Sequence, residues 1–251
     1  MLKDQEQIEI SSKKFNRKSI IAFVIFILAI FAAIFVWKWI HRQPDIAGSP
    51  KPIRKILSLD EKVFSKVLSN NHLVKTYPES AGARNVRFNG DLGLKSALDS
   101  SWKLKIAKSP GDTLFLTLDD IKALPKTEIT FDFKCIEGWS QISHWGGVKF
   151  SVFAKRYNLL SQSQMNYAGL FTPDKQYYVG IDMASMMHPQ TLLCYEMNGK
   201  PLPLKQGYPL RLMIPVKYGI KSLKRIGTIF FSNTPPPDYW YERGYDYYSG
   251  L

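Results

Sequence analysis

Cys135 is one of only two cysteines in the 251-residue chain, and it sits in Phe133-Lys134-Cys135-Ile136-Glu137-Gly138-Trp139-Ser140. A thiolate binds soft metals and attacks electrophiles, and a neighbouring cation such as Lys134 favours the charged sulfur. Gly138 and the Gly146-Gly147 pair surround it in a polar, aromatic stretch, so the sulfur is expected on a loop just past a strand ending at Phe133. Three readings stand open: a small buried hydrophobe, half of a disulfide with Cys194, or a metal-binding thiolate. Cys194, within Thr191-Leu192-Leu193-Cys194-Tyr195-Glu196-Met197, reads as an ordinary strand residue. The second group with chemical potential is the cation run Arg211, Lys217, Lys221, Lys224 and Arg225. Such a wall can hold a phosphate or the edge of a polar ring by charge-assisted hydrogen bonds. Its plainer reading is a solvated charged face.

Composition narrows the classes. At 45% apolar and 22% charged the chain is a folded protein rather than a disordered one. The net charge is +13, and residues 1–55, with 10 Lys/Arg against 4 Asp/Glu, hold +6 of it. Without a block of like charges or a basic stripe, a nucleic-acid partner is not expected; an anionic small molecule or a membrane surface suits the charge better. Two cysteines build no disulfide framework, and CxxC, CxxCH and paired Cys/His spacings are missing, which argues against covalent haem and structural zinc.

These residues need a frame. Residues 1–18 read as a cytoplasmic tail and 19–40 as a transmembrane anchor, because Ile20 to Trp37 are 18 consecutive apolar residues. At 1.5 Å per residue they make roughly 27 Å of helix, enough to cross a hydrocarbon core. Trp37, Lys38, Trp39, His41 and Arg42 supply an interfacial belt. The flanking cations tie, and Asn16-Arg17-Lys18-Ser19-Ile20-Ile21 weighs towards export as a degenerate twin-arginine signal with no A-x-A cleavage site after it. The expectation is a single-pass inner-membrane protein with its folded domain on the periplasmic side. Residues 41–55 read as a linker, and 56–251 as one strand-rich α+β domain. Helices are expected at Ser58–Ser69, capped by Ser58, at Leu118–Ala123 and at Lys149–Arg156. Strands are expected at Trp102–Ala107, Thr113–Leu116, Glu128–Phe133, Tyr177–Asp182, Thr191–Met197, Leu210–Val216 and Gly227–Phe231, with an Asn198-Gly199 turn.

The order of several blocks from about Arg84 to Leu251 resembles the molybdopterin-dependent oxidoreductases of the sulfite oxidase fold. The resemblance is greatest to the subgroup that includes the catalytic subunit of periplasmic methionine-sulfoxide reductase. It rests on Phe133 to Ser140, Trp145-Gly146-Gly147-Val148, and His188-Pro189-Gln190-Thr191-Leu192-Leu193. It continues through Tyr195 to Pro203, Gly207-Tyr208-Pro209-Leu210-Arg211, and Lys217 to Lys224.

The resemblance implies one molybdenum-molybdopterin per chain, with Cys135 as the thiolate ligand of the metal. Arg211 then contacts the pterin or its phosphate, Lys224 is another cofactor contact, and Ser222 and Leu223 belong to the same backbone segment. Arg87 and Asn89 approach from the first part of the domain. Gln206 stands where relatives carry His or Asn, and Asp182, Met183 or Ser185 is expected to line the pocket. Sulfite oxidases hold their anion with arginines where this chain has Trp139 and Ser140, so a neutral S-oxide or N-oxide is the expected substrate of an oxygen-atom transfer. With no haem, flavin or nicotinamide signature, electrons are expected from a membrane b-type cytochrome or a quinone-linked subunit, and no dimer of the sulfite oxidase kind is expected. The tail Pro235 to Tyr245 is read as packing, with a cover over the site mouth as the alternative. The rival from another class is a membrane-anchored scaffold of this fold without cofactor or catalysis.

Overall fold

The computed structural model describes residues 12–67, 72–97 and 99–251. The first eleven residues of the expected tail and the Leu68–Ser69 end of the expected helix lie outside them. Helix α1 (Ser12–His41) is apolar and exposed along its length, and its Phe15–His41 stretch is long and apolar enough to cross a membrane. Two short strands follow, β1 (Asp45–Ile46) and β2 (Ser49–Pro50), paired antiparallel, and then helix α2 (Lys51–Val67). This helix starts seven residues before the expected Ser58. Pro52 suits a first helical turn, where its missing N–H has no partner to lose. Ser58 is therefore interior, and its hydroxyl donates to the Arg54 carbonyl at 2.8 Å instead of capping.

Beyond α2 the chain builds two five-stranded sheets. One contains β5 (Thr127–Lys134), β6 (Ser140–Lys149), β9 (Leu192–Met197), β10 (Lys200–Pro201) and β11 (Arg211–Met213), all antiparallel, with β9 pairing β6, β10 and β11. The other runs β4-β3-β12-β7-β8, from β3 (Leu104–Ser109), β4 (Asp112–Leu116), β7 (Tyr167–Phe171), β8 (Tyr178–Asp182) and β12 (Thr228–Ser232); only β3 and β12 are parallel. Between the sheets, Val148, Leu193 and Leu212 meet Ile106, Leu170 and Ile229 in the main core. Helices α3 (Leu118–Lys122) and α4 (Phe150–Arg156) close that core with Ile121, Phe150 and Phe153, and the short α5 (Met183–Met186) follows β8. A reciprocal cap starts α3: Thr117 accepts from the Asp120 N–H and Asp120 from the Thr117 N–H. A smaller cluster of Phe131, Trp145, Cys194 and Met213 fills the other face of the first sheet.

Seven expected strands are present with ends shifted by a few residues; β6 and β7, and the two-residue β1, β2 and β10, are not among them. β6 carries Ser143, His144, Gly146 and Gly147, a composition that reads as loop. The sheet satisfies it internally: Thr130 Oγ1 and His144 Nδ1 lie 2.8 Å apart, and Trp145 Nε1 donates to Ser143 Oγ at 2.8 Å. Gly147 lies at a bulge against β9, where a Cβ would come within 2.2 Å of the Leu193 carbonyl oxygen. The glycine that looked like a loop marker is a close-approach position inside a strand.

Candidate active site

Strands β5 and β6 form a hairpin, and Cys135 is the first residue of its five-residue loop. The Cys135 N–H donates to the Trp139 carbonyl at 2.9 Å and the Gly138 N–H to the Cys135 carbonyl at 3.1 Å, with Gly138 at φ +85°. The thiol is thus fixed at the tip of a rigid ribbon rather than on a long loop. Cys135 is 8% exposed, and both cysteines are free, so the disulfide reading does not hold. Lys134 turns its side chain to a different hollow, beside His72 and Leu251. The lysine that lines the same cleft as the sulfur is Lys224.

Cys135 opens into a cleft of about 950 Å³, counted with the open solvent at its entrance. Arg87, Asn89, Gln206, Arg211, Ser222 and Lys224 all line it. Arg211, on β11 opposite Cys194 of β9, is 2% exposed and stands over the Trp145 ring at 4.6 Å. One guanidinium nitrogen donates to the Gln206 carbonyl and side-chain oxygens at 3.1 and 2.7 Å, while Nε, buried, has no partner. Burial pulls its pKa down to about 10. The Gln206 side-chain nitrogen donates to the carbonyls of Val86 and Arg87 at 3.2 and 3.3 Å, clipping the 85–90 segment across the cleft. Gln141 fastens the same segment at the Arg87 N–H (2.7 Å), and Lys224 Nζ does so at the Asn89 and Gly90 carbonyls (2.7 and 2.9 Å). Burial first, then the Arg211 cation, bring Lys224 down to about 7. Arg87 lies 4.5 Å over the Trp139 ring at the mouth.

Leu223 is in the main core, where its carbonyl accepts the Leu212 N–H. None of Asp182, Met183 and Ser185 lines the cleft, contrary to expectation. Strand β8 is the far edge of the other sheet; Asp182 caps α5 through the Ser185 N–H and pairs with Lys217 at 2.7 Å. Sequence reasoning left out Ser143, Trp145 and Tyr177, and it set Trp240 and Tyr245 aside as packing; all five line the cleft. The aromatic density of the tail was the available signal for the last two.

The donors fit an anionic, ring-bearing cofactor. A thiol at a hairpin tip, a buried arginine whose Nε lacks a partner and a half-buried lysine line one cleft. Among the described residues no three His, Cys, Asp or Glu side chains converge as a metal site. The class these groups suit is an enzyme domain that offers one thiol and a basic wall to a cofactor. Residues 92–240 match the family model of the oxidoreductase molybdopterin-binding domain, and the chain belongs to that family. It is a molybdopterin-dependent oxidoreductase with a strand-rich domain. A protein of Azospira oryzae named as a protein-methionine-sulfoxide reductase subunit, YedZ1, is 36% identical over 72% of this chain and 69% of its own length. The protein-methionine-sulfoxide reductase catalytic subunit MsrP of Xanthomonas campestris is 33% identical over 57% of this chain, and that of Campylobacter jejuni 35% over 56%. The chain spans about half the length of those two relatives, 48% and 52%. Among solved structures, the sulfane dehydrogenase SoxCD of Paracoccus pantotrophus aligns over 56% of this chain and 40% of its own, with 19% identity and a TM-score of 0.47.

Proposed function

We propose that this chain is a membrane-anchored molybdenum-molybdopterin reductase that takes the oxygen atom from a thioether S-oxide, with methionine sulfoxide as the first candidate. When bound, the cofactor supplies two-electron oxygen-atom transfer, so the S-oxide accepts two electrons and two protons and leaves as thioether and water. Cys135 would ligate the metal. Arg211 Nε and Lys224 would meet the phosphate or ring edge, and Gln206 would hold both Arg211 and the 85–90 segment in place. The observation that carries this reading is the placement of the Cys135 thiol and the unpartnered Arg211 Nε in one cleft. The mouth, with Phe133, Trp139, Tyr177, Trp240 and Tyr245, favours an apolar thioether body over a dianion. The relatives named for methionine-sulfoxide reduction support the same choice.

Helix α1 would be the anchor, with residues 19–40 in the bilayer and the catalytic domain on the periplasmic side. Electrons would come from a membrane b-type cytochrome or a quinone-linked subunit. The test is metal analysis of wild type and Cys135→Ser from a cofactor-competent host, with viologen-driven reduction of methionine sulfoxide, an N-oxide and sulfite as controls. About one molybdenum per chain, lost in the variant together with S-oxide reduction, is the expected result. Metal-free wild type would instead support the scaffold reading.

A further inference from the structure

Helix α2 is amphipathic, yet it turns its polar side to the catalytic domain. On that side, Arg54 donates to the carbonyls of Ile46, Tyr241 and Tyr245, and Glu61 accepts from the Tyr167 hydroxyl at 2.9 Å. On the other side Ile56, Leu59, Val63 and Val67, three to four residues apart, form one line and are 63, 55, 57 and 62% exposed. Lys55 and Lys66 are exposed along the flank of that line. A four-residue apolar stripe turned away from its own domain marks an interaction surface.

The chain itself says what covers it. Helix α1 ends at His41 and α2 begins at Lys51, so only residues 42–50 separate them. Fully extended they would reach at most ~35 Å, and pairing of β1 with β2 keeps them shorter. The stripe therefore lies close to where α1 leaves the bilayer, and the lysines beside it suit anionic headgroups. We propose that α2 is an interfacial helix, its Ile56-Leu59-Val63-Val67 stripe seated in the acyl-headgroup boundary of an anionic bilayer. This rests on the reading of α1 as a membrane span.

The placement has a consequence for the active site. Arg54, on the same helix, grips the Tyr241–Tyr245 segment, and Tyr245 and the adjacent Trp240 line the cleft. An α2 lying on the bilayer sets that rim at the membrane surface, so a membrane-borne electron donor meets the domain on the rim side of the cleft.

Nitroxide labels introduced singly by Ile56→Cys, Leu59→Cys, Val63→Cys, Ser58→Cys and Ile34→Cys in the full-length holoprotein test the proposal. The protein is reconstituted in phosphatidylcholine vesicles with and without phosphatidylglycerol. Labels on the stripe are expected to show oxygen accessibility several-fold above that to a water-soluble nickel chelate, more so with phosphatidylglycerol. The Ser58 label, facing the hollow between α2 and the tail, is expected to show the reverse. Stripe labels that read as water-exposed while Ile34 reads as lipid-embedded overturn the proposal and leave the span standing. Stripe labels shielded from both reagents overturn it too, since protein then covers the face. An Ile34 label in water removes the span, and the proposal with it.

Discussion

Arg54 offers the sharpest test of how the membrane-proximal chain is tied to the catalytic domain. It is 4% exposed, and its guanidinium donates to the carbonyls of Ile46, Ala47, Tyr241 and Tyr245 while lying 4.2 Å over the Tyr241 ring. Those carbonyls sit in β1, its turn and the tail, and the ones of Ala47 and Tyr241 also accept the Gly244 N–H at 3.1 Å. Each lost bond is worth roughly 1 kcal/mol, so Arg54→Ala forfeits about 4 kcal/mol of hydrogen bonding. Against this stands relief from burying a cation with no carboxylate partner, a penalty of several kcal/mol that the four bonds now offset. Water entering the vacated site repairs part of the deficit, which leaves a net loss of about 1–2 kcal/mol.

The loss should be local before it is global. Residues 42–50 and 240–251 separate from the domain while both sheets persist, because the sheet cores hold no Arg54 contact. Hydrogen exchange read by mass spectrometry is the assay. In Arg54→Ala those two segments are expected to lose their protection by a factor of roughly 5 to 30, with β6 and β9 unchanged. Arg54→Lys keeps the charge but not the fork, and should fall between the two. If Arg54→Ala exchanges at the wild-type rate in both segments, the clasp contributes nothing and the reasoning fails.

Other consequences can be checked as directly. Gly147→Ala pushes a methyl against the Leu193 carbonyl and the Cys194 Cα, at 2.2 and 2.6 Å, so the β6-β9 ladder must open; a loss of ~2–4 kcal/mol in chemical unfolding is expected, and one below ~0.5 would refute the close approach. Arg211→Met removes a buried cation and should leave apoprotein stability within about 1–2 kcal/mol of wild type, while molybdenum content falls sharply; unchanged metal content would refute the cofactor role. Burial holds Lys217 down at about 8, against 10.5 for a free lysine, although Asp182 opposes the shift. Between those values the unfolded chain binds the extra proton, so stability rises with pH across pH 8 to 10.5, by about 3 kcal/mol from this group alone. Lys217→Met should flatten that rise; an equal slope in the variant would sink the assignment. For Asp182, burial is outweighed by Lys217 and the carboxyl stays below its ordinary value, so its contribution is lost only as pH falls through the acid range.

Much of the site was legible because its chemistry is carried by residue types that stand out. A lone cysteine beyond a strand, an arginine opening an apolar run and a lysine 13 residues later were visible in sequence, and all three line one cleft. What failed was inference from composition to backbone. Ser143, His144, Gly146 and Gly147 looked like loop, yet their polar groups pair within the sheet and the second glycine admits a neighbouring strand. The same error put Lys134 beside the sulfur, whereas strand alternation carries the side chains of successive residues to opposite faces. The resemblance put Asp182, Met183 or Ser185 at the pocket, whereas Asp182 ends β8, an edge strand of the second sheet, and pairs with Lys217. Contacts between residues distant in sequence, such as Arg54 with Tyr245, leave no local pattern to read.

The basic charge also changes meaning once the cations are placed. Read from sequence, +13 suggested a surface seeking an anionic partner. Arg54, Arg211 and Arg225 are instead at most 4% exposed, and among the described residues none of them has a carboxylate within ion-pair distance. They spend their donors on backbone carbonyls and, for Arg211, on the Gln206 side chain as well. Arg225 reaches the carbonyls of Tyr208, Leu94 and Ser96, and Lys224 those of Asn89 and Gly90, so irregular segments that lack ladder partners are held by long cations. Such bonds explain how a domain with extended irregular connections keeps a defined cleft. They also single out Arg211: of these three arginines it alone leaves a buried nitrogen without an acceptor, and it does so on the cleft wall. A buried cation with an idle donor is costly unless an anion arrives, and the phosphate-bearing cofactor of this family is the anion that would complete it.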